Sequence, residues 1–329
     1  MNLLIIGGAG YIGSHMVQRL RSTKNKVTIL DNLSTGFRNA INDTDFIEGD
    51  IKDCALLTKI FKDRGIEAVM HFASYMQVSE SVKKPDVYYE NNVSNTINLL
   101  NIMAKNNVRK FIFSSSAAIF GEPEYTPIDE SHPKNPINPY GRSKLMVEGI
   151  LKDYESAFGL KSVCLRYFNA AGADEGGNLG EQHSPETHLI PILLQVASGR
   201  RERASVFGTD YPTADGTCIR DYIHVSDLCE AHIAALDYLN KKHKSQNFNL
   251  GNGGGFSVAE VVETVRRISG KPLQIDYEER RPGDPAVLVA DSTLAKKMLN
   301  WSPCFTQLET IIEHAWNFEK SHFSRPLTE

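Results

Sequence analysis

The chain has 329 residues, 41% of them hydrophobic and 23% charged, which is ordinary for a protein with a full core and long enough for one large or two modest domains. Its net charge is −4 with Lys and Arg scattered, which argues against nucleic acid or a membrane surface as partner, since both call for a basic face. Five cysteines without a Cys-x-x-Cys pair suggest neither a disulfide framework nor a zinc knuckle, so no metal is expected.

The opening apolar run ends in glycines and has no basic residues before it, so it reads as a strand rather than a signal peptide. No apolar run reaches the roughly 18 residues of a membrane span. A soluble cytoplasmic protein is the expectation.

In chain order, Leu3 to Ile6 is a short continuous apolar run, the mark of a strand covered on both faces. A glycine-rich turn and a helix to about Arg21 follow. Strands are expected at Val27–Leu30, Phe46–Glu48, Ala68–Phe72, Lys110–Ser114 and Ser162–Tyr167. Helices fall between them at Ala55–Lys62, Pro85–Asn106 and Pro139–Phe158, two of them opened by proline. Strand alternating with helix predicts right-handed βαβ units and a doubly wound parallel sheet of the Rossmann type.

After Asn169 the rhythm breaks. Ala170–Glu186 reads as a long polar loop, a kind that is usually functional or disordered. Helices are expected at Leu189–Ser198, Asp227–Lys241 and Val258–Ser269, and near Thr293–Leu299 and Thr306–Phe318. Strands are expected at Ser205–Phe207, Asn247–Leu250 and Leu273–Tyr277, with turns over Thr209–Thr217. The expected division is 1–169 as the dinucleotide domain, with segments around 218–250 returning to it, and 170–329 as a smaller C-terminal α/β substrate-binding lobe.

Gly7-x-x-Gly10-x-x-Gly13 lies in the first βα turn. Glycines there let the backbone approach a pyrophosphate, and the helix start offers it free N–H groups. Asp31 ends the next strand, where a carboxylate accepts hydrogen bonds from an adenosine ribose. The same charge repels a 2′-phosphate, favouring NAD over NADP, although Arg38 nearby keeps the second open. Asp50 ends the third strand, either beside the adenine or as a helix cap.

Tyr140 and Lys144 are four apart and share a helix face. A nearby ammonium lowers a phenol's pKa, so Tyr140 could take a proton from a sugar hydroxyl, with Ser116 orienting that hydroxyl. Tyr238 and Lys242 repeat the spacing, but at the frayed end of a polar helix they read as a surface pair.

These glycines, Asp31-Asn32-Leu33, Gly49-Asp50-Ile51, His71-Phe72-Ala73, Asn91-Asn92-Val93, Ser114-Ser115-Ser116 and Tyr140-x-x-x-Lys144 together resemble the extended short-chain dehydrogenase/reductases. Leu165–Asn169, Phe207–Thr213, Gly216–Val225 and Arg280–Asp284 resemble that family's UDP-hexose 4-epimerase branch. The resemblance runs over nearly the whole chain.

It implies reversible C4 epimerisation of UDP-galactose and UDP-glucose, through a transient 4-keto sugar and tightly bound NAD. Tyr140, Ser116 and Lys144 would be catalytic, Ser116 and Tyr140 also touching the sugar. Gly7, Gly10, Tyr11, Ile12 and Gly13 would hold the pyrophosphate. Asp31, Asn32, Thr35 and Gly36 would hold the adenosine ribose region, and Asp50 with Ile51 the adenine. Phe72, Ala73, Asn91 and Phe168 would line the cofactor channel, and Lys144 would bind the nicotinamide ribose. Asn169, Arg220 and Arg281 would face the diphosphate, with Asp284 beside them and Phe207 at the uracil. Read from the residues alone, Arg220 and Arg281 fit better as structural salt-bridge partners of Asp221 and Asp284. By analogy the chain is a homodimer packed through helices 85–106 and 139–158.

Phe120, Ala118 and Met76 stand where many relatives carry Tyr, Thr and Lys, so the orienting hydroxyl falls to Ser116. Leu288 leaves the sugar range open. Rival readings are a 4-epimerase of a UDP-N-acetylhexosamine or UDP-uronate, or a non-catalytic NAD-binding sensor. A 4,6-dehydratase needs acidic residues where Ala117 and Ala118 stand.

Overall fold

The computed structural model describes residues 1–41, 45–242, 244–281 and 283–323. Pro282, within the Arg280–Asp284 motif, lies outside the described residues. Seven parallel strands form the main sheet, in the order Gln246–Leu250, Lys161–Tyr167, Lys110–Ser116, Ala68–His71, Asn2–Ile6, Lys26–Asp31 and Asp45–Glu48. This is the doubly wound α/β sheet expected from the βα rhythm.

The unbroken apolar run at the N-terminus follows from pleating, which sends alternate side chains to opposite faces. Leu3 and Ile5 join Met16, Leu20, Leu228 and Leu236 beneath helices Tyr11–Arg21 and Val225–Lys242. Leu4 and Ile6 join Leu57, Leu99, Val147 and Leu151 beneath Cys54–Arg64, Asn95–Lys105 and Pro139–Phe158. A third core around Leu193, Val206, Val261, Ile311 and Trp316 belongs to the smaller lobe. There Ala204–Phe207 pairs with Ile275–Glu278, and Ile219–Arg220 lies between Phe256–Ser257 and Val287–Leu288.

Helix Pro139–Phe158 starts where its sequence says. Asn138 accepts the Gly141 N–H at 2.9 Å, proline opens the first turn, and Gly159 ends the helix at φ +68°. The stretch expected as one helix over Pro85–Asn106 is interrupted. Pro85–Tyr89 and Asn95–Lys105 are α-helical, but Glu90–Ser94 between them is a π-turn. Hydrophobic spacing does not report such a one-residue insertion, which recurs at functional sites. The short helix Val78–Lys83 was not anticipated either.

The chain reverses direction across the sheet between strands Asn2–Ile6 and Ala68–His71. In such sheets the ligand crevice opens beyond the carboxyl ends of the strands at this point.

Candidate active site

The glycine turn sits at that crevice. A Cβ on Gly7, whose φ is +79°, would lie 2.5 Å from the Ala73 nitrogen, and one on Gly13 would lie 2.0 Å from the Gly7 carbonyl oxygen. One on Gly36 would meet Ala9 at 2.7 Å. Side chains are thus excluded where a ligand must approach backbone. Gly10 is the N-cap of helix Tyr11–Arg21 and no side chain caps it. The first N–H groups of the helix, at Tyr11, Ile12 and Gly13, therefore keep their positive potential for an anion.

Asp31 is buried at the end of its strand, and burial raises its pKa. Its carboxylate accepts the Ala9 and Leu33 N–H groups, each at 2.8 Å. These bonds aim it into the crevice and leave one lone pair on each oxygen. Asn32 donates to Asp50 at 2.9 Å, tying two strand ends together, and Asp50 also accepts the Lys52 N–H at 2.9 Å. Ile51 is buried and Thr35 exposed. Arg38 is engaged elsewhere, stacked 4.6 Å from the centre of the Phe46 ring and donating to the Ile41 carbonyl.

Phe72 and Ala73 flank the glycine turn from the next strand, and the Ala73 N–H donates to the Ile6 carbonyl. Asn91 lies in the π-turn and donates to Asn92 at 3.0 Å. A glycine cradle, an uncapped helix start and an aimed carboxylate are the parts a dinucleotide with a free ribose requires, and these residues fit NAD.

Ser116 ends strand Lys110–Ser116, and its hydroxyl accepts the Ala118 N–H at 3.1 Å. The Lys144 ammonium donates to the Ser114 carbonyl at 2.7 Å and lies 5.8 Å from the centre of the Tyr140 ring. So the strand exit and the first turns of helix Pro139–Phe158 do converge. Electrostatically the site differs from expectation. Burial raises the Tyr140 pKa, partly offset by the facing Ser116 hydroxyl. Burial also pushes Lys144 down to about 7, against the opposing pull of Cys164 and Glu148. A lysine so weakened lowers its neighbour's pKa less than a full charge would.

Two supports of this site escaped the sequence reading. Glu148, one further turn along the face of Tyr140 and Lys144, accepts the Ser115 hydroxyl at 2.7 Å. Asn92 joins the Tyr75 backbone to Ser143 through bonds of 2.9 to 3.1 Å, holding the loop after strand Ala68–His71 against helix Pro139–Phe158. The spacing of Glu148 was a signal. Asn92 stood within the Asn91-Asn92-Val93 match, but its bridging role had no signal, because its partners are distant in sequence.

In the smaller lobe Arg220 pairs with Asp284 at 2.8 Å and also donates to the carbonyls of Ile219 and Pro285. Its sequence neighbour Asp221 instead accepts three backbone N–H groups, from Asn252, Gly253 and Ala290. Arg281 lies 3.8 Å over the Phe207 ring, and among the described residues it pairs with no carboxylate. The Asn169 amide donates to the Asp221 carbonyl at 3.1 Å. Phe168 and Leu288 pack against the cluster of Ala117, Ile119, Phe120 and Ile128, bringing the lobe onto the exit of the Ser116 strand. Phe120 is fully buried, against His132 and beneath Arg166, which suits a phenyl ring without a hydroxyl.

A glycine cradle at the switch point of a doubly wound sheet defines a dinucleotide-binding α/β protein. Residues 3–251 match the family described as the NAD dependent epimerase/dehydratase family. The chain is 53% identical to a UDP-glucose 4-epimerase of Halalkalibacterium halodurans, over 98% of this chain and 96% of that one. It superposes with a TM-score of 0.94 on the Brucella ovis UDP-glucose 4-epimerase in complex with NAD, at 46% identity, covering 97% of this chain and 98% of that one. The Bifidobacterium longum UDP-glucose 4-epimerase in complex with NAD⁺ and UDP also gives 0.94, at 38% identity, covering 98% and 99%. The chain belongs to the NAD-dependent epimerase/dehydratase family.

Proposed function

We propose that the protein interconverts UDP-galactose and UDP-glucose by epimerisation at C4. The observation that carries this reading is the convergence of Ser116, Tyr140 and Lys144 two strands from the glycine cradle, across strand Ala68–His71, with Arg220, Arg281 and Phe207 on the lobe that closes over the Ser116 strand.

Gly7, Gly10, Tyr11, Ile12 and Gly13 hold the pyrophosphate of NAD. Asp31, Asn32, Thr35 and Gly36 hold its adenosine ribose, Asp50 and Ile51 the adenine, and Phe72, Ala73, Asn91, Lys144 and Phe168 the remainder. When bound, NAD supplies two-electron oxidation and reduction at the sugar C4.

Tyr140 takes the O4 proton as the 4-keto sugar forms and returns it afterwards, while Ser116 orients that hydroxyl. Burial keeps the Tyr140 phenol protonated in the cofactor-free chain. Lys144, beside the ring, favours the phenolate when it is needed, and a bound oxidised nicotinamide would add its own positive charge. Asn169, Arg220 and Arg281 hold the diphosphate and Phe207 lies at the uracil, with Asp284 fixing Arg220 in place. Firm ends and a loosely held sugar allow the ketone to present either face.

We assign the sugar-nucleotide lobe to residues after 169, apart from helix Val225–Lys242 and strand Gln246–Leu250, which rejoin the main sheet and its core; Ile219–Arg220, expected among the returning segments, pairs with strands of the smaller lobe instead. Two copies pack through the faces of helices 85–106 and 139–158, where Val87, Met146 and Phe158 are 38%, 47% and 47% exposed. No helix among the described residues is long and apolar enough to cross a membrane, and we place the enzyme in the cytoplasm.

The test is product analysis after incubation with UDP-galactose and no added NAD. UDP-glucose as product supports the proposal. Strict dependence on exchangeable NAD, or turnover only of UDP-N-acetylgalactosamine or UDP-galacturonate, overturns it.

A further inference from the structure

The polar loop after Ala171 ends in Glu181-x-His183-x-x-Glu186-x-His188, directly before helix Leu189–Ser198. The four side chains turn toward one point, and one ligand atom from each lies within 4.8 Å of the others. The carboxylates of Glu181 and Glu186 are almost fully buried, with side chains 5% and 3% exposed. His183 Nδ1 lies 3.3 Å from Glu181 and 3.5 Å from Glu186, yet it is a buried nitrogen with no hydrogen-bond partner. It points between the two carboxylates rather than at either. His188 Nδ1 contacts Glu181 from the other side, and the two imidazoles stand nearly perpendicular with centres 5.4 Å apart. One oxygen of Glu186 accepts the N–H groups of Thr187 and His188 at 2.8 and 2.9 Å, which leaves the other for the centre.

Two carboxylates buried face to face require positive charge between them. Two imidazole nitrogens and two carboxylate oxygens are donors that zinc accepts at roughly 2.0–2.2 Å in tetrahedral geometry. Such donors stand about 3.4 Å apart; His183 already stands 3.3 and 3.5 Å from the two carboxylates, while the close His188–Glu181 contact must open and the wider spacings, up to 4.8 Å, must close around an ion.

We propose that Glu181, His183, Glu186 and His188 form a structural site for a divalent cation, Zn²⁺, that fastens this loop to the start of helix Leu189–Ser198. Four protein ligands complete the coordination sphere, so the ion's role is structural rather than catalytic. The loop it fastens leans on the dinucleotide turn. The Tyr11 ring stands edge-on to His183 at 6.5 Å, and its hydroxyl donates to the Gly172 carbonyl at 2.8 Å. A reading that sought cysteine ligands passed over this site, because its donors are histidines and glutamates.

The test uses the full chain without a polyhistidine tag, stripped with a chelator, dialysed against Zn²⁺ alone and analysed for metal. The expected result is about one zinc per chain, falling below about a tenth in His183→Asn and in Glu186→Gln. Chelation should lower the melting temperature of the wild-type protein and leave that of each variant unchanged. Circular dichroism checks that the variants fold. Wild-type protein without zinc, or zinc retained equally by both variants, overturns the site and leaves a cluster whose positive charge is protons on the histidines.

Discussion

Glu148 grips Arg166 through two bonds of 2.9 and 2.6 Å, and both side chains are almost completely buried, at 3% and 1% exposure. Because Glu148 follows Lys144 by one turn and also receives the Ser115 hydroxyl, the pair fixes helix Pro139–Phe158 against two adjacent strands. Removing one partner leaves a buried charge unpaired. Glu148→Gln should cost about 3–5 kcal/mol, read from the denaturant midpoint. Glu148→Leu combined with Arg166→Met should cost less than either alone, since neither charge then remains.

The glycine cradle makes a sharper prediction about binding. Gly13→Ala places a methyl carbon 2.0 Å from the Gly7 carbonyl oxygen, so the purified variant should carry little NAD and bind added NAD at least roughly tenfold more weakly. Gly149→Ala, in the helix that carries Tyr140, meets nothing within 4 Å. It should keep its NAD and gain about 0.5–1 kcal/mol of stability. Titration of NAD with denaturation curves for both proteins checks the pair.

Lys144 gives a pH signature. In NAD-free protein its folded pKa is about 7, well below the ordinary lysine value of 10.5. Between those values the unfolded chain binds more protons, so stability contributed by this group rises with pH. Below about pH 7 both states are protonated and the penalty for burying the charge is constant. The stability difference between wild type and Lys144→Met should therefore be flat below pH 7 and shift in favour of wild type from pH 7 to about 10. A pH-independent difference would contradict the buried placement.

The two arginines of the smaller lobe should behave differently. Arg220 is held by Asp284 and two carbonyls, so Arg220→Ala should lower stability by about 1.5–3 kcal/mol as well as raise the KM for UDP-galactose. Arg281 stacks on Phe207 and pairs with no carboxylate among the described residues. Arg281→Ala should raise KM with little loss of stability. Initial-rate kinetics beside denaturant curves decide the matter.

What sequence reasoning could reach here was local. The alternation of Leu3 and Ile5 against Leu4 and Ile6, the glycine turn, and the cap and proline of the catalytic helix are all written in neighbouring residues. The pairing of Arg220 with Asp284 in preference to Asp221 depends on a strand placement that no spacing encodes. The π-turn at Glu90–Ser94 and the bridging role of Asn92 likewise arise from packing between distant segments. The expected lowering of the Tyr140 pKa counted the neighbouring charge and omitted burial, which dominates in the folded protein.

The central claim is that Tyr140 moves the proton at O4, and Tyr140→Phe tests it most directly when turnover of UDP-galactose is measured beside bound NAD and UDP affinity. Near-normal NAD content and UDP binding are predicted, with turnover reduced by about 10²–10⁴-fold. Turnover within a few-fold of wild type would contradict the account.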